Sequence, residues 1–162
     1  MRNKLESALS EEARRGLVEF LARNGVLRRL YGDEMEFLYK GKEVEVRKEG
    51  VEIDLGEGLE LDEALMPFLS DEVRIRATIP LAPRVKLGSV GYDVKDELIS
   101  KGHLNKIFLT MTKPIQIDID GWSLRLTICG ALRKEKLPEL KKIVEDMSDE
   151  ATSIVVSMNI SP

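Results

Sequence analysis

Apolar and polar residues recur along the chain with two different periods, and each period predicts one type of element. Near the start, leucines recur at the three- and four-residue spacing of one helix face. The residues on this predicted face are Leu5, Leu9, Leu17 and Leu21. The pair Asn24 and Gly25 follows them and favours a left-handed C-cap. The first predicted element is therefore a helix.

Three short runs after this helix alternate between apolar and polar residues, as half-buried strands do. They are residues 34–39, 43–48 and 51–55, and short glycine-containing segments separate them. Strands joined by such tight turns form a β-meander. A loop and a short helix that starts near Asp62 are expected next.

The second half of the chain mixes both periods. Residues 72–79 alternate and predict a strand, with Arg74 and Arg76 on the polar side. A helix is expected to begin at Asp93 and to close at Gly102, and residues 105–112 alternate as a further strand.

An Asp120–Gly121 pair divides the next alternating segment and favours a two-residue hairpin turn. The pairs predicted by this turn are Ile119 with Trp122, Ile117 with Leu124, and Ile115 with Leu126. A last helix carries a stripe that begins at Leu140 and ends at Met147, and residues 153–160 alternate as a final strand.

From residue 72 the predicted order is strand, helix, three strands, helix, strand. This expanded βαββαβ order predicts an α+β fold with a ferredoxin-like antiparallel sheet and helices on one face. The N-terminal helix and the β-meander precede it. We expect one domain over residues 1–162, with subregions 1–71 and 72–162, and the sequence leaves open whether the meander joins the main sheet.

The composition bears on the size of the core, the cellular compartment and the type of source organism. The chain has 162 residues, 43% of them hydrophobic, which is enough for a core, and its single cysteine allows no intramolecular disulfide. No segment approaches the roughly 18 to 20 apolar residues of a membrane span, so we expect a cytoplasmic protein without membrane association. Charged residues reach 33% while amides are sparse, which is typical of thermophile proteins.

The charge balance is uneven. The net charge of −4 argues against a general polyanion binder, and aromatic residues, at 5%, are too few for a base-stacking surface. Residues 1–71 carry 17 acidic and 11 basic side chains, whereas residues 72–162 carry 12 and 14. Residues 73–92 contain four basic side chains and no acidic one, so an anionic ligand would bind there.

This basic segment gives the candidate ligand site. Glycines just before a predicted helix N-terminus can present backbone N–H groups to a phosphate or carboxylate. The candidate ligand-binding residues are Arg74, Arg76, Arg84, Lys86, Gly88, Ser89 and Gly91. For the two strand arginines themselves, the sequence favours ion pairing, either with the acidic residues 49–63 or between subunits, over contact with a ligand.

Other chemistry has a stronger structural interpretation. An EF-hand with Gly121 at its sixth position would need acids where Gln116 and Thr127 stand, so the Asp-Gly pair predicts a turn and no metal or cofactor site. His103 is expected at a helix end, and Cys129 in a strand of the core. Whether these two side chains meet in the fold stays open.

The sequence therefore favours a non-catalytic ligand-binding or protein-interaction module. The alternative is a small cytoplasmic enzyme that acts on an anionic metabolite. Antiparallel sheets of this type often pair through their edges, and residues 153–160 are predicted as a strand with little to protect its edge. We therefore expect a homodimer.

Overall fold

A computed structural model describes residues 3–81, 91–121 and 123–160 of the chain. The strands are β1 (Asn3–Ala8), β2 (Val26–Tyr31), β3 (Glu34–Tyr39), β4 (Lys42–Val46), β5 (Gly50–Gly56), β6 (Glu72–Pro80), β7 (Thr112–Asp120) and β8 (Arg125–Arg133). The helices are α1 (Glu11–Asn24), α2 (Gly91–Ser100), α3 (His103–Thr110) and α4 (Leu137–Ile160). A 3₁₀ helix spans Glu63–Phe68, and a short 3₁₀ turn, Lys134–Lys136, precedes α4.

All eight strands belong to one sheet, in the order β2-β3-β4-β5-β1-β6-β8-β7. Every neighbouring pair is antiparallel. The predicted α+β class with an antiparallel sheet is therefore confirmed. The meander joins the main sheet, because β1 lies between β5 and β6 and pairs with both.

The prediction of a helix from Leu5 is wrong, because residues 3–8 form the strand β1. Its buried positions alternate as a strand requires, but two of the three are polar: Asn3, Leu5 and Ser7. Asn3 accepts a hydrogen bond from the Thr78 N–H at 2.9 Å and donates one to the Gly58 carbonyl at 3.2 Å. Hydrogen bonds of this kind allow a polar side chain to be buried. Because polar residues occupy two of the buried positions, the sequence of β1 does not alternate between apolar and polar residues.

The helix begins later, at Glu11, where the Ser10 hydroxyl accepts a hydrogen bond from the Ala13 N–H. The predicted left-handed C-cap is also wrong, because Gly25 has φ −130° and is extended. Glycine is required here for space, since a Cβ would lie 2.7 Å from the Leu38 carbonyl oxygen. The chain continues directly into β2, which was not predicted.

The three predicted meander strands are confirmed as β3, β4 and β5. The short helix expected near Asp62 is the 3₁₀ helix, and the Asp62 carboxylate accepts a hydrogen bond from the Ala64 N–H at 2.9 Å. Residues 72–79 form most of β6 as predicted, and Arg74 and Arg76 are on its exposed side.

The predicted helix after residue 90 is α2, whose Val94 and Leu98 are buried. The strand predicted over residues 105–112 is wrong, because most of this segment forms α3. Leu109, which supports an alternating pattern, is 83% exposed, whereas Ile107 is buried. A short apolar run fits the period of a strand as well as that of a helix. Here the helix forms, because it buries Ile107 in the core.

The β7–β8 hairpin is confirmed, but its predicted register is wrong. Ile119 lies opposite Leu126, and Ile117 lies opposite Ile128, so Asp120 is a paired strand residue and not part of a two-residue turn. Trp122, which was predicted to pair with Ile119, lies outside the described residues. Leu124 has φ +48° and is fully buried. Burying this side chain outweighs the preference of the Asp-Gly pair for a tight turn.

The helical stripe from Leu140 to Met147 is confirmed in α4. The final strand predicted over residues 153–160 is wrong, because α4 continues to Ile160. Ala151 and Val155 prolong the buried stripe, and extending an existing helix costs less than starting a new element.

The ferredoxin-like topology is therefore not formed. β6 and β7 flank β8, as in a split βαβ unit, but β1 occupies the place beside β6 that the predicted C-terminal strand would take. All four helices contribute buried residues to one core with one face of the sheet, which we call the inner face. The opposite face, called the outer face, carries the exposed strand residues. No helix in the described part of the chain is long and apolar enough to cross a membrane.

Candidate functional site

The two arginines of the sequence-predicted ligand site lie on the outer face of β6. In the sheet register Arg74 is opposite Glu6, and Arg76 is opposite Lys4. Both arginines are exposed. Among residues 3–81, 91–121 and 123–160, neither arginine forms an ion pair, so the expected pairing with residues 49–63 is not seen there.

Of the remaining predicted site residues, the structure describes Gly91. Arg84, Lys86, Gly88 and Ser89 are outside the described residues. Gly91 is the first residue of α2, which packs through Val94 against the inner-face core. The structure therefore does not bring Gly91 together with the two arginines, because the sheet lies between α2 and the outer face.

The open question of a cysteine and histidine pair is answered by the same geometry. Cys129 lies opposite Arg76 and Gln116, so it has the register of the outer face. His103 begins α3, which packs on the inner-face side through Ile107. The sheet separates the two side chains, and they form no catalytic pair.

Asp118 and Asp120 are on β7, and Asp120 is the last residue before the hairpin connection. The Asp120 carboxylate accepts a hydrogen bond from the Ser123 N–H at 3.4 Å. The segment is the end of a hairpin, although Asp120 pairs with Arg125 as a strand residue and is not in the predicted two-residue turn. Within the described ranges, no group of three or more His, Cys, Asp or Glu side chains is placed to hold a metal ion.

A cleft of about 820 Å³ lies at a place that the sequence did not indicate. It opens between the β3–β4 hairpin, the loop and 3₁₀ helix of residues 59–66, and the first turn of α4. Buried side chains give its apolar lining, among them Val44, Ile53, Leu59, Leu65 and Leu137. Its volume falls within the range of small-molecule binding sites.

A cluster of three polar side chains forms one wall of this cleft. The Lys40 ammonium lies 2.7 Å from the Asp62 carboxylate, and the Tyr39 hydroxyl donates a hydrogen bond to the same carboxylate at 3.2 Å. Lys40 and Gly41 form the two-residue turn between β3 and β4, and both have positive φ, at 49° and 79°. A lysine in this left-handed conformation is strained, and its contact with Asp62 compensates for the strain.

The electrostatics of the cluster are those of a fixed ion pair. The hydrogen bond from Lys40, followed by the one from the Ala64 N–H, lowers the pKa of the Asp62 carboxyl. The hydrogen bond to Asp62 raises the pKa of the Lys40 ammonium. Burial, followed by the hydrogen bond to Asp62, raises the pKa of the Tyr39 phenol. Asp62 and Lys40 therefore stay charged, and Tyr39 stays protonated, around neutral pH.

Two further lysines line the cleft. Lys141 on α4 lies 4.0 Å from Glu60 and 3.7 Å from Glu145. Lys42 donates a hydrogen bond to the Leu55 carbonyl at 3.3 Å and forms no ion pair with a carboxylate in the described ranges. The Lys42 ammonium is thus the cleft cation that is available to an anionic group.

A partly buried lysine contributes to the position of α4 beside the cleft, in addition to the core residues of the helix. Lys134 lies just before the helix, and its ammonium donates hydrogen bonds to the carbonyls of Met66 and Leu69, at 3.1 and 2.9 Å. These carbonyls belong to the last turn of the 3₁₀ helix and its cap. Lys134 therefore holds the start of α4 against the 3₁₀ helix, with the positive end of the α4 dipole next to the cleft.

Sequence reasoning missed this site because its lining comes from segments far apart in the chain. Residues 39–66 supply most of it, and residues 137–141 supply the rest. The signal that was present is the Lys40–Gly41 turn, where lysine occupies a position that favours Asn, Asp or Gly. Comparison with family models, with curated proteins and with solved structures gives no match to this chain.

Proposed function

We propose that the chain is a ligand-binding module without chemistry of its own and that the cleft beside the 3₁₀ helix holds the ligand. The observation that carries this proposal is the cleft itself, because it combines a volume of about 820 Å³ with a buried apolar lining and a few fixed polar groups. This combination is the usual form of a small-molecule site.

The chemistry of the lining defines the class of ligand. Val44 and Leu59 favour an aliphatic or aromatic body, because contact with them removes apolar surface from water. The Lys42 ammonium, which forms no ion pair within the described ranges, favours an anionic group on the ligand. The expected ligand is therefore a small amphiphilic carboxylate, sulfonate or phosphate.

Binding is favoured over catalysis by the pKa values of the polar cluster. A lysine that acts as a base or nucleophile needs a lowered pKa, and a carboxyl that acts as a general acid needs a raised one. The pKa of Lys40 is raised and the pKa of Asp62 is lowered. Both shifts oppose the enzyme alternative at this site.

An anionic metabolite on the outer face is the second candidate. Lys4 and Arg76 are cross-strand neighbours of like charge, and Arg74 follows on the same strand face. Like charges placed directly opposite are unfavourable, and a bound phosphate or carboxylate would relieve the repulsion. This candidate keeps Arg74 and Arg76 as ligand-binding residues.

The proposal also includes the domain organisation, the compartment and the thermophilic origin predicted from the sequence. The shared sheet and common core support a single domain over residues 1–162. The single cysteine supports a reducing, cytoplasmic compartment, and the 33% of charged residues supports a thermophilic origin.

Fluorescence titration with anilinonaphthalene sulfonate tests the cleft, because this probe carries an aromatic body and one sulfonate. Lys42→Ala removes the available ammonium and should raise the dissociation constant of the probe about five- to tenfold, which corresponds to ~1 kcal/mol for one charge-assisted contact. Lys48→Ala is the matched control, because Lys48 is exposed and does not line the cleft. It should bind the probe as the parent does.

Equal affinity in the parent and in Lys42→Ala would contradict the proposed role of Lys42 and of the cleft. An equal loss in both lysine variants would also contradict it, because that result would indicate a general effect of net charge.

A further inference from the structure

The two edges of the sheet differ in how they are protected. At one edge β7 contains Pro114, a register irregularity between Thr112 and Ile115, and the charged residues Asp118 and Asp120. Prolines, bulges and charges are the features that stop an edge strand from pairing with another chain. At the other edge β2 contains no proline; it has a register shift between Leu27 and Arg29 and the charges of Arg28 and Arg29, but all six of its residues are exposed and four of them are apolar.

Most of β2 is apolar in spite of this exposure. Its exposed side chains include Val26, at 61%, Leu27, at 48%, Leu30, at 62%, and Tyr31, at 78%. Within the described residues β2 pairs only with β3, so the backbone groups on its other side have no strand partner. A six-residue edge strand with four exposed apolar side chains and an unpaired row of backbone groups is a template for a further strand.

A bulge in β2 arranges these side chains in two sets. Leu27 lies opposite Phe37, and Leu30 lies opposite Met35, with a register shift between Leu27 and Arg29. Phe37 is an inner-face residue of the core, and Met35 packs against that core. Leu27 and Leu30 therefore share the inner face, although they are three positions apart, which in a regular strand would place them on opposite faces.

From these features we propose that β2 pairs antiparallel with β2 of a second copy of this chain, so that two sheets join into one across a two-fold axis. The axis passes between Arg28 and Arg29. In this register Leu27 lies opposite Leu30 of the second copy, and Val26 lies opposite its Tyr31. This dimer goes beyond the proposed ligand function.

The self-pairing register matches the faces of the strand. The two leucines meet on the inner face, and by symmetry this contact occurs twice. Val26 and Tyr31 belong to the outer face, because they lie opposite Leu38 and Glu34, next to the inner-face positions along β3. A slip by one residue would place Leu27 against a residue of the other face and lose this match.

Charge complementarity also points to a second copy. On the outer face four glutamates lie directly opposite one another across β3, β4, β5 and β1. They are Glu36, Glu45, Glu52 and Glu6, and Arg29 continues the row on β2. A shallow depression of about 420 Å³ at this end of the row is lined by Glu34, Glu36, Glu45 and Arg29, together with Tyr31 and Met35. Arg47 pairs with Glu45 and Glu52, and Arg29 lies 3.9 Å from Glu36, so Glu34 is the carboxylate of this depression that forms no ion pair within the described residues, and it leaves a negative charge beside the edge.

Arg28 has the charge that this depression lacks. It is exposed and forms no ion pair with any carboxylate that the structure describes. In the proposed register Arg28 of the second copy lies opposite Arg29, two strand spacings from the β3 positions of Glu34 and Glu36. Opposed arginines repel each other, but the neighbouring glutamates offset this repulsion, so each copy supplies a cation to the acidic row of the other.

Sedimentation analysis at micromolar concentration tests the dimer. The molecular mass of the parent obtained from sedimentation should be twice the chain mass of 18.3 kDa. Leu30→Lys places a charge in the contact and should raise the dimer dissociation constant by about tenfold or more. Leu109→Lys is the matched control, because Leu109 is 83% exposed on α3, away from the edge, and it should leave the dimer unchanged.

A monomeric parent would overturn the proposal, and so would a Leu30→Lys variant that dimerises as the parent does. Dissociation caused by Leu109→Lys and not by Leu30→Lys would also overturn it and would indicate an interface on the helices. A monomeric parent that captures an added strand peptide would assign the edge to a different partner and contradict the self-pairing.

Cysteine cross-linking tests the register without relying on a disruptive substitution. In a background with Cys129→Ala, Leu27→Cys and Leu30→Cys are made as two separate variants. Opposed residues in a strand pair are close enough for a disulfide, whereas Leu27 is not opposite itself in the proposed register. Oxidation should link the mixture of the two variants several-fold more than either variant alone. Equal linking of each variant alone, or no linking of the mixture, would contradict the register.

Discussion

Asp62 connects three parts of the cleft wall through one carboxylate. It caps the 3₁₀ helix through the Ala64 N–H, pairs with Lys40 in the β3–β4 turn, and accepts a hydrogen bond from Tyr39. The strained conformation of Lys40 and the position of the 3₁₀ helix therefore depend on the same side chain. A change at Asp62 should loosen the wall of the cleft as well as the helix end.

Asp62→Ala should lower the free energy of unfolding by about 1 kcal/mol, because the cap is lost. Glu63→Ala is the control, since Glu63 is exposed and adjacent, and its effect should stay within about 0.5 kcal/mol. Urea unfolding of the three proteins measures both effects. Equal losses in the two variants would show that the carboxylate of Asp62 has no special structural role.

His103 carries the pH dependence that the structure predicts most directly. Burial, followed by the charge of Lys106, lowers the pKa of its imidazole below the usual 6.5. Its Nδ1 is buried, and within the described part of the chain it has no hydrogen-bond partner. The folded state therefore favours the neutral imidazole more than the unfolded state does.

The unfolded chain binds a proton at His103 before the folded chain does, so stability should fall as the pH drops below about 6.5 and level off below the folded pKa. His103→Phe removes this titration and should reduce the loss of unfolding free energy between about pH 7.5 and about pH 5. Urea unfolding at both pH values measures it. The same loss in the parent and in His103→Phe would contradict the lowered pKa.

At the scale of elements, β1 unites the two halves of the molecule. It pairs with β5 of the meander and with β6 of the second half. Leu5, at its centre, lies opposite Ile53 on one side and Ile75 on the other, and it is fully buried. The sheet has eight strands in one piece because this short strand fills the position between the two halves.

Leu5→Ala should therefore lower the free energy of unfolding by about 3 kcal/mol, as is typical for a leucine removed from a closed core. Leu109→Ala should change it by no more than about 0.5 kcal/mol, because Leu109 is exposed. A small effect at Leu5, similar to that at Leu109, would show that β1 is not part of the core.

The elements that sequence reasoning found have a continuous signal. The meander strands and β6 alternate apolar and polar residues along their length, and the first part of α4 carries an uninterrupted stripe. β1 was missed because Asn3 and Ser7 occupy buried positions, so its alternation is hidden. In α3 and at the end of α4 both periods fit the residues, and only tertiary packing decides between them.

At the scale of the whole molecule, the two candidate ligand sites and the proposed dimer contact lie on three different surfaces. The cleft lies on the inner side beside the 3₁₀ helix, the Arg74 and Arg76 pair lies on the outer face of β6, and the free edge is β2. The sequence indicated the arginines, because a stretch without acidic residues can be recognised from the sequence alone. It could not indicate the cleft or the edge, because both depend on which elements become neighbours.

The most direct test of the account is the mapping of bound anilinonaphthalene sulfonate by amide chemical shifts in an isotope-labelled sample. If the cleft is the ligand site, the shifts that change should cluster in residues 39–42, 59–66 and 137–141, which line it. Changes confined to β6 around Arg74 and Arg76, or to β2, would place the ligand on the outer face or on the sheet edge and would contradict the central claim.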